Sequence, residues 1–342
     1  MIPTTNNTND HHHHIMEDSQ VSSPPSSSAA AAVVSEDAMQ DSQVDESLST
    51  TTLTTTTRTT TTSSSSSNNN HNNTPPLPIS PSLVGWTEPS TLQEKRSLYA
   101  CGNDFVTLDQ LELYPSYAEK NRLEQPSIEG IKKVFSSYLR NREYPILSQF
   151  NPEHDAIKKG YYDYNEAINK KISFFRGDVS QLEIDAVVNA ANESLLGGGG
   201  IDGAIHRAAG GILRKYNALL NGCDTGCTKI SPGFKLPAKY ILHTVGPVGE
   251  NPQKLTSAYT TCLELVEQYN IKSVAFCGIS TGIFGYPLDK ATFIAMHTVR
   301  QWMEIHHEKV DRIIFITFLK KEVDMYNTVA PYFFPFKPLQ EK

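Results

Sequence analysis

Cysteine is scarce in this chain of 342 residues, five in all, and the five are scattered without the paired spacings of a disulfide framework. Cys223 and Cys227 have a zinc-like spacing, yet no second Cys or His pair accompanies them, so a metal site is not expected. No apolar run approaches the ~18 residues that cross a bilayer, and the start of the chain lacks the basic and apolar regions of a secretory signal. A soluble intracellular protein, cytoplasmic or nuclear or both, is expected. Positive charge is also in deficit: 30 Lys and Arg against 37 Asp and Glu leave a formal net charge of −7. That balance excludes a protein that holds nucleic acid by neutralising its phosphates. Any phosphate bound here must be gripped locally.

Residues 1–84 have hardly any aromatic or large aliphatic side chain to bury; they run through Ser, Thr, Asn, Gln and Ala tracts, including Thr59 to Ser67 and Asn68 to Asn70. Such a segment cannot offset the entropy of ordering and is expected to be disordered and of low complexity. His11 to His14 sit inside it and read as a native homopolymer. Trp86, Leu98, Tyr99, Phe105 and Leu108 open a stretch able to pack, and Ile128, Ile131, Phe135 and Leu139 recur at helical spacing within Ser127 to Arg140. Residues 85–169 are therefore expected to form a partly helical N-terminal extension.

From Lys170 onward short apolar runs alternate with helix-length amphipathic segments, the pattern of an α/β sheet covered by helices on both faces. Strands are expected at Ile172 to Phe175, Ala186 to Asn189, Tyr240 to Val245, Ser273 to Cys277 and Arg312 to Phe318. Helices are expected at Gly203 to Leu220, closed by Asn221-Gly222, at Pro252 to Tyr269 and at Leu288 to His306.

Ligands of open α/β sheets bind beyond the carboxyl ends of the strands. Here the first strand runs into Gly177-Asp178-Val179, the second into Asn189-Ala190-Ala191-Asn192, and the penultimate one into Gly278-Ile279-Ser280-Thr281-Gly282-Ile283-Phe284-Gly285. Gly197 to Gly200 lead into the first long helix. Two glycine-rich loops at one sheet edge point to backbone N–H groups clasping phosphates, because residues without a Cβ let the main chain approach closely. The helix N-terminus adds a favourable dipole. Gly198, Gly200 and Gly203 also spell G-x-G-x-x-G, but eight residues separate the first glycine from the strand. The dinucleotide fingerprint is therefore rejected, and so is a Walker A loop, for want of Gly-Lys-Ser/Thr.

Gly177-Asp178-Val179, Val188 to Asn192, Leu195 to Gly210, Gly222 to Gly226, Leu236 to Tyr240, His243-Thr244-Val245-Gly246-Pro247 and Ser280 to Gly285 together resemble the macrodomain family in its MacroD-type branch. Glu166 to Lys171 and Pro331 to Pro335 also resemble the macrodomain of ganglioside-induced differentiation-associated proteins. The resemblance implies a three-layer α/β/α macrodomain with a central mixed, mostly parallel sheet over residues 170–337.

The resemblance further implies an ADP-ribose site. Asp178 would accept a hydrogen bond from the adenine amine, with Val179 beside it, although an Asx-turn alone would place an Asp there. Gly198, Gly199, Gly200 and Ile201, with Ser280, Thr281, Gly282 and Ile283, correspond to the diphosphate clasp, Phe284 to the aromatic against the distal ribose, and Asn189 to a further binding residue. Asn192 and Asp202 would address the distal ribose and an attacking water, and His206, four residues after Asp202, would orient it or the substrate. Asp202 is equally a candidate helix N-cap. The implied activity is hydrolysis of ADP-ribosyl esters, acting on mono-ADP-ribosylated acidic side chains or O-acetyl-ADP-ribose, against the alternative of a non-catalytic ADP-ribose reader. Neither metal nor cofactor is called for. The expected partners are ADP-ribose and its conjugates, with no nucleic acid or membrane, and the chain is expected to be a monomer.

Overall fold

A computed structural model describes residues 74–140 and 159–339; the homopolymeric tracts of 1–73 lie outside the described residues. In chain order the elements are α1 (Leu92–Arg96), β1 (Val106–Thr107), α2 (Tyr114–Lys120), α3 (Ile128–Arg140), α4 (Glu166–Asn169), β2 (Ile172–Arg176), β3 (Leu182–Glu183) and β4 (Ala186–Ala190). There follow α5 (Gly200–Ala209), α6 (Gly211–Leu219), β5 (Thr228–Pro232), β6 (Tyr240–Thr244), α7 (Pro252–Gln268), β7 (Ser273–Phe276), α8 (Leu288–His306), β8 (Arg312–Thr317) and α9 (Lys320–Phe333). Among the described residues no helix is long and apolar enough to cross a membrane.

The central sheet has the order β2-β8-β7-β4-β6-β5, parallel throughout except for the β5–β6 edge pair. Its inner strands are apolar on both faces, as helices on both sides require. In β8, Ile313 and Phe315 face one core while Ile314 and Ile316 face the other; in β4, Ala186 and Val188 oppose Val187 in the same way. The first core is closed by α7, α8 and α9 through Tyr259, Met296, Phe333 and their neighbours, the second by α5 and α6 through Ile205, Leu213 and Tyr216. A mixed, mostly parallel sheet between two helical layers is thus what the chain builds.

The five expected strands agree with the observed ones to within a residue at each end, and α7 and α8 lie where expected. Other features differ. The single helix expected over Gly203 to Leu220 is two, because Gly210 takes φ +83° and ψ 167°, which breaks the hydrogen-bond ladder between α5 and α6. The first of them also begins earlier, at Gly200. Strand β5 and helix α9 were not expected: β5 is an edge strand carrying Lys229, Ser231 and Pro232, and α9 holds Pro331 in its last turn.

The segment before β2 is bound into both cores. Tyr114, Ile131, Phe135 and Tyr162 are buried in the first, Leu111 in the second. Strand β1 pairs in parallel with β3 immediately after the Asp178 turn, and the Arg96 guanidinium makes a two-pronged hydrogen-bonded ion pair with Glu183, its Nε at 2.8 Å. That pairing holds the Glu183 carboxyl below the usual carboxylate range.

Candidate ligand-binding cleft

Strands β2, β8, β7, β4 and β6 all end at one edge of the sheet. The chain leaves β7 toward β8 and leaves β4 toward β6, so β7 and β4 flank the switch point at which α/β sheets open a crevice. A cleft lies there, walled by the loop before α5 (Asn192, Gly198, Gly199, Gly200) on one side and by the loop after β7 (Ser280, Gly282, Ile283, Phe284) on the other. Ile201 and Asp202 line it too, joined by Ala190, Ala191, Gly246 and Gly278, which the sequence reading had not placed in the site.

The glycines are there for close approach. A Cβ on Gly246 would sit 2.1 Å from Ser280 Oγ, and one on Gly278 2.5 Å from Thr281 Oγ1. Ser280 itself stands at φ +64°, held by its neighbours: Tyr286 N donates to its carbonyl at 2.9 Å and Gly249 N to that of Phe284 at 2.7 Å. Its hydroxyl is buried and has no partner among the described residues. Opposite, Gly199 caps α5 without a side-chain bond, so the first amides of that helix are also available to an anion.

Asp202 is therefore not the N-cap; it is the third residue of α5, 3 % exposed. Oδ1 accepts from Asn189 Nδ2 at 2.7 Å, while Oδ2 has no partner among the described residues and lies 3.0 Å from where a Cβ on Gly198 would be. Burial raises the carboxyl above the usual range, and the Asn189 hydrogen bond and His206 offset this only in part. His206 Nε2 is 3.5 Å from Oδ1, and burial lowers its pKa in turn. The ring packs under Gly197, 3.3 Å from its Cβ position, and does not line the cleft.

Four other expected site residues support the cleft from outside it. Asn189 is wholly buried, its amide shared between Asp202 and His243 Nδ1, the latter at 3.1 Å. Thr281 closes its own loop by donating to Gly278 O at 3.0 Å. Val179 packs in the second core. Asp178 is exposed at the end of β2, where Oδ1 accepts from Ser180 N at 2.8 Å and caps a short 3₁₀ turn, the Asx geometry that the sequence left open. Asn192 does line the cleft, but both ends of its amide are used locally: Nδ2 donates to Gly197 O at 3.0 Å, and Oδ1 accepts from Ser194 N and Oγ at 3.0 and 2.6 Å.

Two residues outside the expected set stand out. Phe318, 69 % exposed, follows β8 at the strand end next to Asp178, where Gly177 N donates to Thr317 O; the sequence pattern had absorbed it into the strand. His243, wholly buried on β6, was visible only as part of a motif.

A doubly covered α/β sheet whose switch-point crevice is walled by two glycine loops, a free helix N-terminus and one buried carboxylate defines a domain for a phosphate-bearing ligand. The comparisons name the family. The macro domain model matches residues 188–295. The rat ADP-ribose glycohydrolase MACROD1 is 47 % identical over 185 residues, 52 % of this chain and 72 % of that protein; the mouse and cattle proteins of the same name are spanned over 56 % and 57 % of their lengths. The macro domain of ganglioside induced differentiation associated protein 2 matches with a TM-score of 0.53 and 29 % identity, over 69 % of this chain and 99 % of that one. The Trypanosoma brucei macrodomain in complex with ADP-ribose matches with a TM-score of 0.50 and 36 % identity, over 66 % and 77 %. This chain belongs to the macro domain family.

Proposed function

We propose that the chain binds ADP-ribose along the carboxyl edge of its sheet and hydrolyses esters of the distal ribose, removing mono-ADP-ribose from acidic protein side chains or deacetylating O-acetyl-ADP-ribose. The name of the rat relative and the ligand of the trypanosomal structure support this reading. From β2 to β4 there are three strand spacings, roughly 14 Å at ~4.8 Å each. That span suits a base at one end, two phosphates in the middle and a second sugar beyond. Asp178 and the face of Phe318 take the adenine, Ser280 and the amides of both glycine loops take the diphosphate, and Phe284 and Asn192 flank the distal ribose. In this reading residues 170–337 form the macrodomain and the described residues before them an extension that braces it.

The observation that carries the hydrolase reading is the Asp202 carboxylate, buried at the cleft floor with Oδ2 unengaged among the described residues. A water held by Oδ2 adds to C1″ of an aspartyl or glutamyl ester. The C1″–O bond breaks, the carboxylate leaves with the electron pair, and Oδ2 takes the water's proton. A carboxylate is a good leaving group, so positioning of the water matters more than base strength. Burial nevertheless makes Asp202 a stronger base than a free aspartate.

The test is a hydrolysis assay of the full chain on glutamate-linked mono-ADP-ribosylated protein beside O-acetyl-ADP-ribose. Release of free ADP-ribose, or of acetate, is expected. Tight ADP-ribose binding with turnover of neither substrate replaces the hydrolase by a reader.

A further inference from the structure

Behind Asp202 a chain of polar side chains runs away from the cleft through the second core. Asn189 Nδ2 lies 2.7 Å from Asp202 Oδ1 and 3.1 Å from His243 Nδ1. His243 Nε2 lies 2.9 Å from Ser231 Oγ, which donates to Pro232 O at 3.0 Å. All four residues are at most 3 % exposed, and neither His243 nor Ser231 lines the cleft. They come from β4, α5, β6 and the antiparallel edge strand β5.

The shortest contacts favour one assignment of donors and acceptors. An amide NH2 has two hydrogens and can serve two acceptors, here Asp202 Oδ1 and His243 Nδ1. Nδ1 must then be unprotonated, which places the ring proton on Nε2, aimed at Ser231 Oγ. Asn217 Nδ2 is also 3.4 Å from Nε2, a longer contact than its 2.8 Å bond to Leu195 O and than the 2.9 Å from Nε2 to Ser231 Oγ. If the Asn189 amide were reversed, its oxygen would face the Asp202 carboxylate oxygen at 2.7 Å whichever ring nitrogen carried the proton. The Asp202 carboxylate and an unprotonated Nδ1 together favour this orientation of Asn189, which ties down one oxygen of Asp202 while leaving the other for water.

We infer that His243 is a positioning residue for the hydrolysis: its unprotonated Nδ1, held in that tautomer by Ser231, fixes the Asn189 amide and through it the Asp202 carboxylate. The inference rests on the hydrolase reading above. Its structural basis is separate, because Asn189, His243 and Ser231 do not line the cleft.

The experiment separates the two ring nitrogens. An asparagine at this position offers an oxygen near Nδ1 and nothing near Nε2; a glutamine offers its amide near Nε2; a leucine fills space only. In the full-length protein, kcat on glutamate-linked ADP-ribose is expected to fall tenfold or more in His243→Leu and His243→Gln and less than threefold in His243→Asn. The dissociation constant of ADP-ribose, measured by calorimetry, is expected to stay within threefold in all three, which also reports folding. The imidazole ¹⁵N spectrum of the wild type is expected to show the Nε2–H tautomer, a readout that needs no mutant. Full activity in His243→Leu, no advantage of His243→Asn over His243→Leu, or an Nδ1–H tautomer overturns the inference while leaving the hydrolase reading intact. A wild type that turns over neither substrate overturns both.

Discussion

Asn189 and Asp202, thirteen positions apart, share a 2.7 Å hydrogen bond in which both side chains are buried and only one carboxylate oxygen is used. Asp202→Asn keeps the shape and the acceptor toward Asn189 while removing the charge. Hydrolysis is expected to fall ~10²-fold or more, the usual scale for a lost general base, with ADP-ribose affinity little changed. Folding raises this carboxyl's pKa, so the buried charge lowers stability once pH exceeds the unfolded value of about 3.9. The asparagine variant should therefore melt at or above the wild-type temperature at pH 7. Wild-type turnover should rise with pH through the raised pKa and then level off. A kcat profile, calorimetric melting and an ADP-ribose binding isotherm check these outcomes; a variant with full activity would move the base elsewhere.

Asp178 is both the cap of a turn and the proposed adenine acceptor, and one pair of variants separates these roles. Asp178→Ala is expected to weaken ADP-ribose binding by roughly 1–3 kcal/mol for a lost hydrogen bond. Asp178→Asn preserves the Ser180 bond but turns an NH2 toward the adenine amine, and should bind as poorly as the alanine variant. Wild-type affinity in Asp178→Asn would return the residue to turn formation alone.

Gly246 sits under the second glycine loop with no room for a side chain. Gly246→Ala must displace Ser280, which already holds a left-handed backbone and the free hydroxyl of the cleft. Binding of ADP-ribose is expected to weaken more than tenfold, while AMP, which lacks the second phosphate, should be affected less. Equal losses for the two ligands would show that the loop does not meet the diphosphate.

Little of this support was legible in the sequence. The ends of the parallel strands were, because inner strands flanked by helices are written as short apolar runs, and so were the glycine loops. The Gly210 break was hidden because the apolar stripe continues across it. Strand β5 escaped because an edge strand needs few apolar residues. His243, Asn189 and Ser231 form one network only after three strands have been aligned, and no local spacing connects them.

The segment from Lys170 to the end carries the family motifs, and the sequence suggests that it would bind ligand by itself. The packing of the preceding segment supports a different outcome. Tyr114, Ile131, Phe135 and Tyr162 are buried against the sheet domain, and each such side chain contributes on the order of 1.5–3 kcal/mol, together comparable with a domain's whole net stability. A chain beginning at residue 170 is expected to be poorly folded, and one beginning at residue 74 to melt cooperatively and bind ADP-ribose. Denaturant unfolding of the two decides the matter; equal stabilities would show the extension to be dispensable.

Acid should unfold the protein through its histidines. Burial holds His243 and His297 down at about 3, against 6.5 in an unfolded chain. Both stay neutral when folded, so stability is complete above pH 6.5 and is lost as pH falls, on the order of 3 kcal/mol for each by pH 4. Asp202 acts in the opposite sense and offsets part of this. His297 lies among Phe135, Tyr162 and Phe333, and neither ring nitrogen has a partner among the described residues. His297→Leu is expected to cost little at pH 7 and to flatten the decline between pH 6 and 4. An unchanged slope would assign acid sensitivity to other groups.

Across the cleft, Ile283 Cδ1 reaches to 2.8 Å from the Cβ position of Gly199, although the isoleucine is otherwise 80 % exposed. The roof over the proposed diphosphate channel is thus one side chain laid on a bare backbone. Swinging an exposed side chain aside takes picoseconds to nanoseconds, whereas opening a hinged lid takes microseconds or longer. Under the proposed function such a latch is expected not to throttle traffic, and residence time is expected to follow from how firmly the phosphates are held rather than from its opening.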